Sequence, residues 1–313
     1  MRPKDRALAV RLDGALHSFA QNKHRLPGIQ ARANRTVFLE QLVESIRRVE
    51  YVSVISRRPV SVLRADPTSV LFDPLKAAVL RKNQGQFDEA FWLVFLFVHF
   101  GKHGRAGWRL ARDVFGRMGS HIHWDWARIS ANPKGFRQWL AAHQDVLRGD
   151  GVPRHFGNHR KYQSLDASSP SGTGAAVESY VNWVGPPRTH QLLMQTSQAQ
   201  VGGDPRRTFD HLYNSMREVV SFGRTARFDY LTMVGKLRLA PIEPGSTYMD
   251  GATGPLTGAR LLFGGSKTAA LSRPSLDQWL VQLGADLGVG MQVLEDALCN
   301  WQKSPAKFTR FRG

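Results

Sequence analysis

Apolar residues along this chain recur mainly at the three- and four-residue spacing of an α-helix. In residues 36–54 this spacing is held by Val37, Leu39, Leu42, Val43, Ile46 and Val49. Such spacing places one apolar face of a helix against a core. The alternation of apolar and polar residues that a half-buried strand needs does not persist anywhere for long. The pattern therefore predicts a nearly all-α fold.

The same spacing predicts helices along most of the remaining chain. They are expected within residues 1–35, 86–118 (two helices joined around 101–104), 132–147, 177–184, 206–220, 275–287 and 291–303, and after glycine turns near residues 223 and 254. The apolar run at residues 91–100 has about half the length of a bilayer-spanning helix. It predicts a buried core helix.

Proline interrupts the helical pattern at Pro59, Pro67 and Pro74, which marks a turn-rich linker. We therefore expect an N-terminal helical arm and linker at residues 1–85 and the main helical domain at residues 86–313. For 313 residues, the expected organisation is one large domain or two closely packed helical lobes.

The chain is strongly basic, with 43 Lys and Arg against 25 Asp and Glu and a formal net charge of +18. Arginine, the commoner basic residue, binds phosphate through two parallel hydrogen bonds, so nucleic acid is expected as the partner ahead of an anionic membrane. The single cysteine, Cys299, excludes an internal disulfide and a cysteine-rich zinc site. Because the basic N-terminus lacks the apolar segment of a signal peptide, we expect a soluble, cytoplasmic protein.

Two glycine-centred turns between residues 221 and 265 each lead into an apolar helical run. The first turn contains Gly223, Arg224, Thr225 and Arg227; the second spans residues 251–255. A helix that begins at such a turn directs N–H groups and partial positive charge outward, which favours a bound phosphate. Two such turns with arginines predict a polyanion-binding surface, and ordinary helix caps are the alternative. Asp250 lies between them, and the sequence predicts no cationic partner for it.

A basic and aromatic segment at residues 154–162 contains His159, Arg160, Lys161 and Tyr162. Cationic side chains beside rings that stack on bases are typical of a nucleic-acid channel. A solvated basic loop is an equally good interpretation. The helix predicted at residues 108–118 carries further arginines, among them Arg109.

Histidines occur in two patterns that are similar to metal sites. His99 and His103 have the spacing of a ligand pair on one helix, and residues 121–126 contain two more histidines. Neither pattern has a third ligand nearby, so structural histidines are the preferred interpretation. We expect neither a metal nor another cofactor.

The last predicted helix, residues 291–303, has one apolar face for the core. Its other faces carry Gln292, Glu295, Asp296, Asn300 and Lys303. These residues predict either a polar pocket or a solvated face with charge pairs.

Three segments carry a resemblance to a known family. FGRTARFDYLTM, GATGPLTGARLLFGG and QVLEDALCNWQKSP, in that order, resemble the alpha-glutamyl/putrescinyl thymine pyrophosphorylase family, in particular its third clade. That family is similar in turn to the helical domain of phage 5-hydroxymethyluridine DNA kinases. The resemblance, from about residue 91 onward, implies a helix-hairpin-helix, DNA-glycosylase-like fold acting on hypermodified pyrimidines in DNA. The chain departs from the relatives' glycine motifs at Thr225 and Leu256.

The resemblance and the residue types together assign candidate roles. The candidate catalytic acids are Asp250, which leads, then Glu295 and Asp296. Substrate contacts are expected from Asp229, Tyr230, Thr253, Gly254, Pro255, Gln292, Asn300 and Lys303. DNA contacts are expected from Gly223, Arg224, Thr225, Arg227, Arg260, Arg109, His159, Arg160, Lys161 and Tyr162.

Three functions fit these roles. The preferred one is a glycosylase that flips a modified pyrimidine out of double-stranded DNA and cleaves its N-glycosidic bond, in phage defence or repair. The alternative implied by the family name is a transferase in which an amine displaces pyrophosphate from a pyrophosphoryl-methyl pyrimidine, with Arg224, Arg227 and Lys303 neutralising the leaving group. A non-catalytic DNA-binding protein is the third. A monomer that does not contact a membrane is expected in each case.

Overall fold

The computed structural model describes residues 2–310. Within this range the chain forms fourteen α-helices and short 3-10 turns but no strand, and its only bridge joins His103 to Gly107. The helices are α1 Arg6–Asn22, α2 Arg32–Arg57, α3 Pro74–Asn83, α4 Phe87–Phe100, α5 Arg109–Phe115, α6 Trp126–Ala131, α7 Pro133–Gly149, α8 Thr173–Val184, α9 His190–Gln200, α10 Pro205–Ser215, α11 Arg224–Lys236, α12 Gly254–Gly264, α13 Arg273–Leu287 and α14 Met291–Trp301. The all-α prediction is confirmed, whereas the helix-hairpin-helix detail stays a prediction.

Some helix bounds differ from the periodicity for local reasons. The helix expected at residues 206–220 ends at Ser215 and continues as a 3-10 turn, Met216–Glu218. Ser221 then adopts a left-handed backbone conformation, with φ 63°, which no α-helix can contain. α13 begins two residues before the expected start because the hydroxyl of Ser272 caps it, accepting the Ser275 N–H at 3.2 Å.

The described chain divides into two compact units. Unit 1 contains residues 2–53 and 244–310, and unit 2 contains residues 54–243. The boundary predicted at residue 85 coincides with neither limit of these units, because α3 and α4 pack together on either side of it. As a division of function it stays a prediction.

Unit 1 is built from α1, α2, α12, α13 and α14. Its core contains fully buried Leu12, Phe19, Phe38, Leu262 and Trp301. These residues are the apolar positions that helical spacing places on one face, so burial of that face drives the packing of the helices.

Glycines set the close contact between α12 and α14. A Cβ on Gly258 would lie 2.4 Å from the carbonyl oxygen of Leu298, and one on Gly254 would lie 2.8 Å from Cys299 Sγ. Such distances leave no room for a side chain. The N-terminus of α12 therefore lies directly against the C-terminal end of α14.

Unit 2 is organised around α4, which is buried along most of its length, as the apolar run at residues 91–100 predicts. Phe95 stacks on Phe222 with the ring centroids 4.9 Å apart, and Trp92 Nε1 donates to the carbonyl oxygen of Trp124 at 2.7 Å. α3, α9 and α11 all pack on α4. No helix within residues 2–310 has the length and apolar content needed to span a membrane.

Candidate functional site

Asp229, on α11, combines a desolvated carboxyl group with partial exposure to solvent. Protein atoms enclose its carboxyl group closely enough to desolvate it, and this desolvation raises its pKa. Nevertheless, 41% of its side-chain surface is open to solvent. A carboxyl group on a convex surface would be exposed but hydrated, and one in the core would be desolvated but closed. Asp229 is therefore both accessible to a ligand and electrostatically perturbed.

Four basic side chains of unit 2 act on this carboxyl group through their charge. Arg160 has the largest effect, followed by Arg224, His159 and Lys236, and each lowers the pKa of Asp229. Arg160 Nη2 donates to Asp229 Oδ2 at 3.1 Å. Desolvation outweighs the four favourable charges, so the pKa stays raised. An acid that is partly open, desolvated and surrounded by basic groups is typical of a functional site.

The loop before Arg160 explains how the Arg160 side chain reaches Asp229. Gly157 donates its N–H to the carbonyl oxygen of Phe100 at 2.8 Å, and a Cβ on Gly157 would lie 2.7 Å from the carbonyl carbon of Gly101. Only glycine permits this approach. The 3-10 turn that follows buries the Arg160 side chain to 9% exposure, and its Nε donates to the carbonyl oxygen of Val98 at 2.7 Å. Burial lowers the pKa of Arg160.

The N-terminus of α11, the helix that carries Asp229, adds positive electrostatic potential. Gly223 is the N-cap and provides no side-chain cap, and Gly223 and Thr225 are both exposed. The first turn of a helix carries N–H groups without intrahelical partners and about half a positive charge. Arg224 is buried, with its guanidinium 5.0 Å from the centre of the Phe228 ring. The glycine turn thus begins a helix, as the sequence predicts, and its role in phosphate binding stays a prediction.

Arg227 makes contacts inside unit 2. Its Nη1 donates to the carbonyl oxygen of Tyr213 at 2.8 Å, and its guanidinium lies 4.2 Å from the centre of that ring. These contacts attach α11 to α10. The predicted role of Arg227 in DNA contact has no support from this arrangement.

Tyr230, predicted to contact substrate, is fully buried and belongs to a hydrogen-bonded chain. With His190 neutral, its Nδ1 donates to Asp88 Oδ1 at 2.8 Å, the Tyr180 hydroxyl donates to His190 Nε2 at 2.7 Å, and the Tyr230 hydroxyl donates to Tyr180 at 2.8 Å. Burial lowers the pKa of His190 and raises the pKa values of both tyrosines, so all three remain neutral. The chain connects α4, α9, α8 and α11. Tyr230 therefore helps to position α11, and its predicted contact with substrate stays a prediction.

The remaining predicted DNA contacts of unit 2 differ in exposure. Lys161 and Tyr162 are exposed directly after Arg160, whereas Arg109 is half-buried at the start of α5. Arg154, from the same basic segment, is held by Asp113 and Asp150, with N–O distances of 2.6 Å to each. The segment therefore has an inward-facing part and an exposed part.

Asp250, in unit 1, lies on an exposed loop. Its side chain is 86% exposed, and Arg273 Nη1 approaches its Oδ1 at 2.8 Å. The expectation that Asp250 has no cationic partner is wrong, because α13 brings in an arginine 23 residues away. The carboxylate lacks the burial that a tuned catalytic acid needs.

Asp296, on α14, connects this helix to α2. Its Oδ2 accepts from Ser45 Oγ at 2.6 Å and from Arg48 Nε at 2.8 Å, and its Oδ1 accepts from Asn300 Nδ2 at 2.9 Å. Lys303 Nζ donates to Asn300 Oδ1 at 3.2 Å. This network fits a structural connection between two helices, and the adjacent Glu295 is half-buried.

The other predicted substrate contacts of unit 1 lie at the junction of α12 and α14. Thr253 is the N-cap of α12, with Gly254 and Pro255 in its first turn. Gly254 lies against Cys299, one residue before Asn300. Within the described residues, Gln292 Oε1 and Arg260 Nε are buried without a hydrogen-bond partner. The structure thus places the start of α12 against the C-terminal part of α14, and the predicted substrate contacts stay predictions.

His99 and His103, the two histidines with the spacing of a ligand pair, both make polar contacts within the protein. His99 is fully buried, its Nε2 lies 3.0 Å from Thr173 Oγ1, and burial lowers its pKa to about 3. His103 Nδ1 accepts from the N–H of Ala106 at 3.0 Å. Residues 2–310 contain no group of three His, Cys, Asp or Glu arranged to hold a metal ion.

Sequence reasoning assigned Asp229 only to substrate contact and did not identify Lys236. A signal was available, since Lys236 follows Asp229 by seven residues, which is about two helical turns and places both on one face. The partnership with Arg160 had no such signal, because 69 residues separate the two.

One comparison with known proteins identifies a relationship. The family model for alpha-glutamyl/putrescinyl thymine pyrophosphorylase clade 3 matches residues 33–313, so the match extends well to the N-terminal side of residue 91. No curated protein and no solved structure matches the chain. The family name describes a pyrophosphorylase-type enzyme that acts on modified thymine in DNA.

Proposed function

Because the chain belongs to the alpha-glutamyl/putrescinyl thymine pyrophosphorylase family, clade 3, we propose that it modifies DNA by displacing pyrophosphate from a 5-pyrophosphorylmethyl pyrimidine with an amine. The observation that carries this proposal is the environment of Asp229. Four basic side chains on and around α11, a helix that begins at a glycine, act on this one desolvated carboxyl group.

The basic side chains suit the leaving group. Pyrophosphate carries several negative charges as it departs, and guanidinium groups bind phosphate oxygens in pairs. Arg160 and Arg224 are both buried, so their charges act through protein more than through water. Such preorganised charges stabilise a transition state in which negative charge develops on the departing oxygen.

Asp229 suits the nucleophile. As the amine nitrogen forms a bond to the methylene carbon, the carbon–oxygen bond to pyrophosphate breaks and its electron pair leaves with the pyrophosphate. The nitrogen must lose a proton, and the Asp229 carboxylate accepts it. A raised pKa makes this carboxylate a better base than a solvated aspartate. The same carboxylate attracts the ammonium form of the amine before reaction.

The preferred hypothesis from sequence, a glycosylase, depended on Asp250 as a partly buried acid. Asp250 is instead 86% exposed and paired with Arg273. The leaving group of a glycosidic cleavage is a neutral or singly charged base, so it needs less positive charge nearby than a departing pyrophosphate does. These two points favour the transferase over the glycosylase.

The test uses duplex DNA carrying a 5-pyrophosphorylmethyl uracil, incubated with glutamate or putrescine, the amines in the family name. The expected products are free pyrophosphate and intact strands that survive alkali. Asp229→Asn should reduce turnover by about 100-fold or more, whereas the matched control Asp250→Asn should retain wild-type turnover. Alkali-labile abasic sites would establish the glycosylase instead. DNA binding without either product would leave a non-catalytic protein, and full activity of Asp229→Asn would remove Asp229 from the reaction.

A further inference from the structure

The exposed part of the basic segment contains an aromatic ring with no packing role. Tyr162 is 88% exposed, more than any other tyrosine or phenylalanine among the described residues. Burial of aromatic surface is favourable, so a ring this open contributes nothing to the folded state that a polar residue would not. A ligand that covers the ring would recover that free energy.

The Tyr162 ring lies close in the chain to residues that act on Asp229. Tyr162 follows Arg160 by two residues, and two residues span at most about 7 Å of chain. His159 and Arg160 are both among the basic groups that act on Asp229. The N–H of Gln163 donates to the carbonyl oxygen of Arg160 at 2.9 Å, which closes this stretch into a turn. Tyr162 is therefore held close to two of the residues that act on Asp229.

The neighbour of the ring indicates the kind of ligand. Lys161 Nζ lies 5.0 Å from the centre of the Tyr162 ring, and both side chains are exposed. A cation next to an open aromatic face binds a phosphate and an adjacent base together. Among polyanions, nucleic acid offers both groups within one nucleotide.

We propose that Tyr162 inserts into the DNA stack beside the target pyrimidine and stabilises the duplex after that base has turned out toward Asp229. Extrusion of a base leaves a gap in the stack and costs a few kcal/mol in lost stacking. An aromatic ring that enters the gap replaces part of that stacking, and Lys161 holds the adjacent phosphate. The inference rests on the proposed function, since it needs a base that leaves the duplex.

The test compares one modified base in two settings, fully paired duplex and single strand. Tyr162→Ala should reduce turnover on the duplex by about 5- to 150-fold, the range for loss of one base–aromatic stack. It should leave turnover on the single strand within about twofold of wild type, because a single strand has no gap to fill. Tyr162→Phe should retain activity on both substrates. Tyr51→Ala, which removes another exposed tyrosine, is the matched control and should behave as wild type.

A second measurement does not depend on the chemistry. 2-Aminopurine placed next to the modified base becomes brighter when its neighbour leaves the stack, so wild type and Tyr162→Phe should raise its fluorescence and Tyr162→Ala should not. Equal loss of Tyr162→Ala turnover on duplex and single strand, or no loss on either, would overturn the role of Tyr162. If wild type converts neither substrate, the proposed function fails, and the fluorescence series alone then decides whether Tyr162 inserts into DNA.

Discussion

Removal of the Tyr180 hydroxyl tests whether the buried chain from Asp88 to Tyr230 holds unit 2 together. Tyr180 is fully buried, and its hydroxyl lies 2.7 Å from His190 Nε2 and 2.8 Å from the Tyr230 hydroxyl. Tyr180→Phe therefore leaves two buried polar groups without a partner. Each such group costs about 1–3 kcal/mol. We expect the free energy of unfolding to fall by about 2–5 kcal/mol.

Tyr230→Phe is the matched comparison, because it removes the end of the chain instead of its centre. The Tyr180 hydroxyl would keep its bond to His190, so the expected loss is only about 1 kcal/mol. In the double variant, the Tyr180 substitution no longer leaves a Tyr230 hydroxyl unpaired. The double variant should therefore lose less stability than the sum of the losses in the two single variants, by about 1 kcal/mol or more.

Urea denaturation followed by tryptophan fluorescence measures these differences. Trp92, Trp126 and Trp183 lie in the ring contacts around Tyr180, so their emission reports this part of unit 2. The midpoints should shift while the dependence of the free energy on urea stays constant. Equal losses for the two single variants, or a loss below about 1 kcal/mol for Tyr180→Phe, would refute the view that the chain is a connected structural network.

Three further predictions follow from separate features. Gly258→Ala would place a Cβ 2.4 Å from the carbonyl oxygen of Leu298 and should destabilise unit 1 by about 1–3 kcal/mol in urea denaturation. Gly14→Ala, with nothing within 4 Å, is its control and should stabilise α1 by about 0.5–1 kcal/mol; a loss at both sites would contradict the packing argument. Burial raises the pKa of Glu89 from 4.5 to about 7, although its bond from the Trp126 N–H lowers it. Between these two pH values the folded state holds a proton that the unfolded chain releases. The contribution of Glu89 to the free energy of unfolding is therefore fully present below about pH 4.5, and it falls by up to about 3 kcal/mol as the pH rises to 7. Glu89→Gln should flatten the pH profile of unfolding relative to wild type in that window, and parallel profiles would disprove it. DNA affinity should fall linearly with salt on logarithmic axes, by about 0.9 per phosphate contact, and a flat titration would exclude a phosphate-bound complex.

The sequence by itself determined most of the helices and the two helix starts on which the functional hypotheses depend. The apolar spacing at residues 36–54 and 291–303 reports a face that must be buried whatever its partner is, so it predicts α2 and α14 directly. The glycine turns before α11 and α12 are likewise local, because backbone conformation there depends on the residues of the turn. The linked motifs also identified the family that the family model matches.

Only the tertiary structure decided which acid has a tuned environment. Both acids lie near a glycine turn in the sequence. Asp250 is exposed beside Arg273, whereas Asp229 is desolvated beside Arg160. It also decided that Tyr230 is buried, and that residues 2–53 pack with residues 244–310 in unit 1. Burial and long-range charge depend on residues far apart in the chain. Periodicity and local spacing contain no information about which distant segments meet, and so the pKa of an acid cannot be inferred from them.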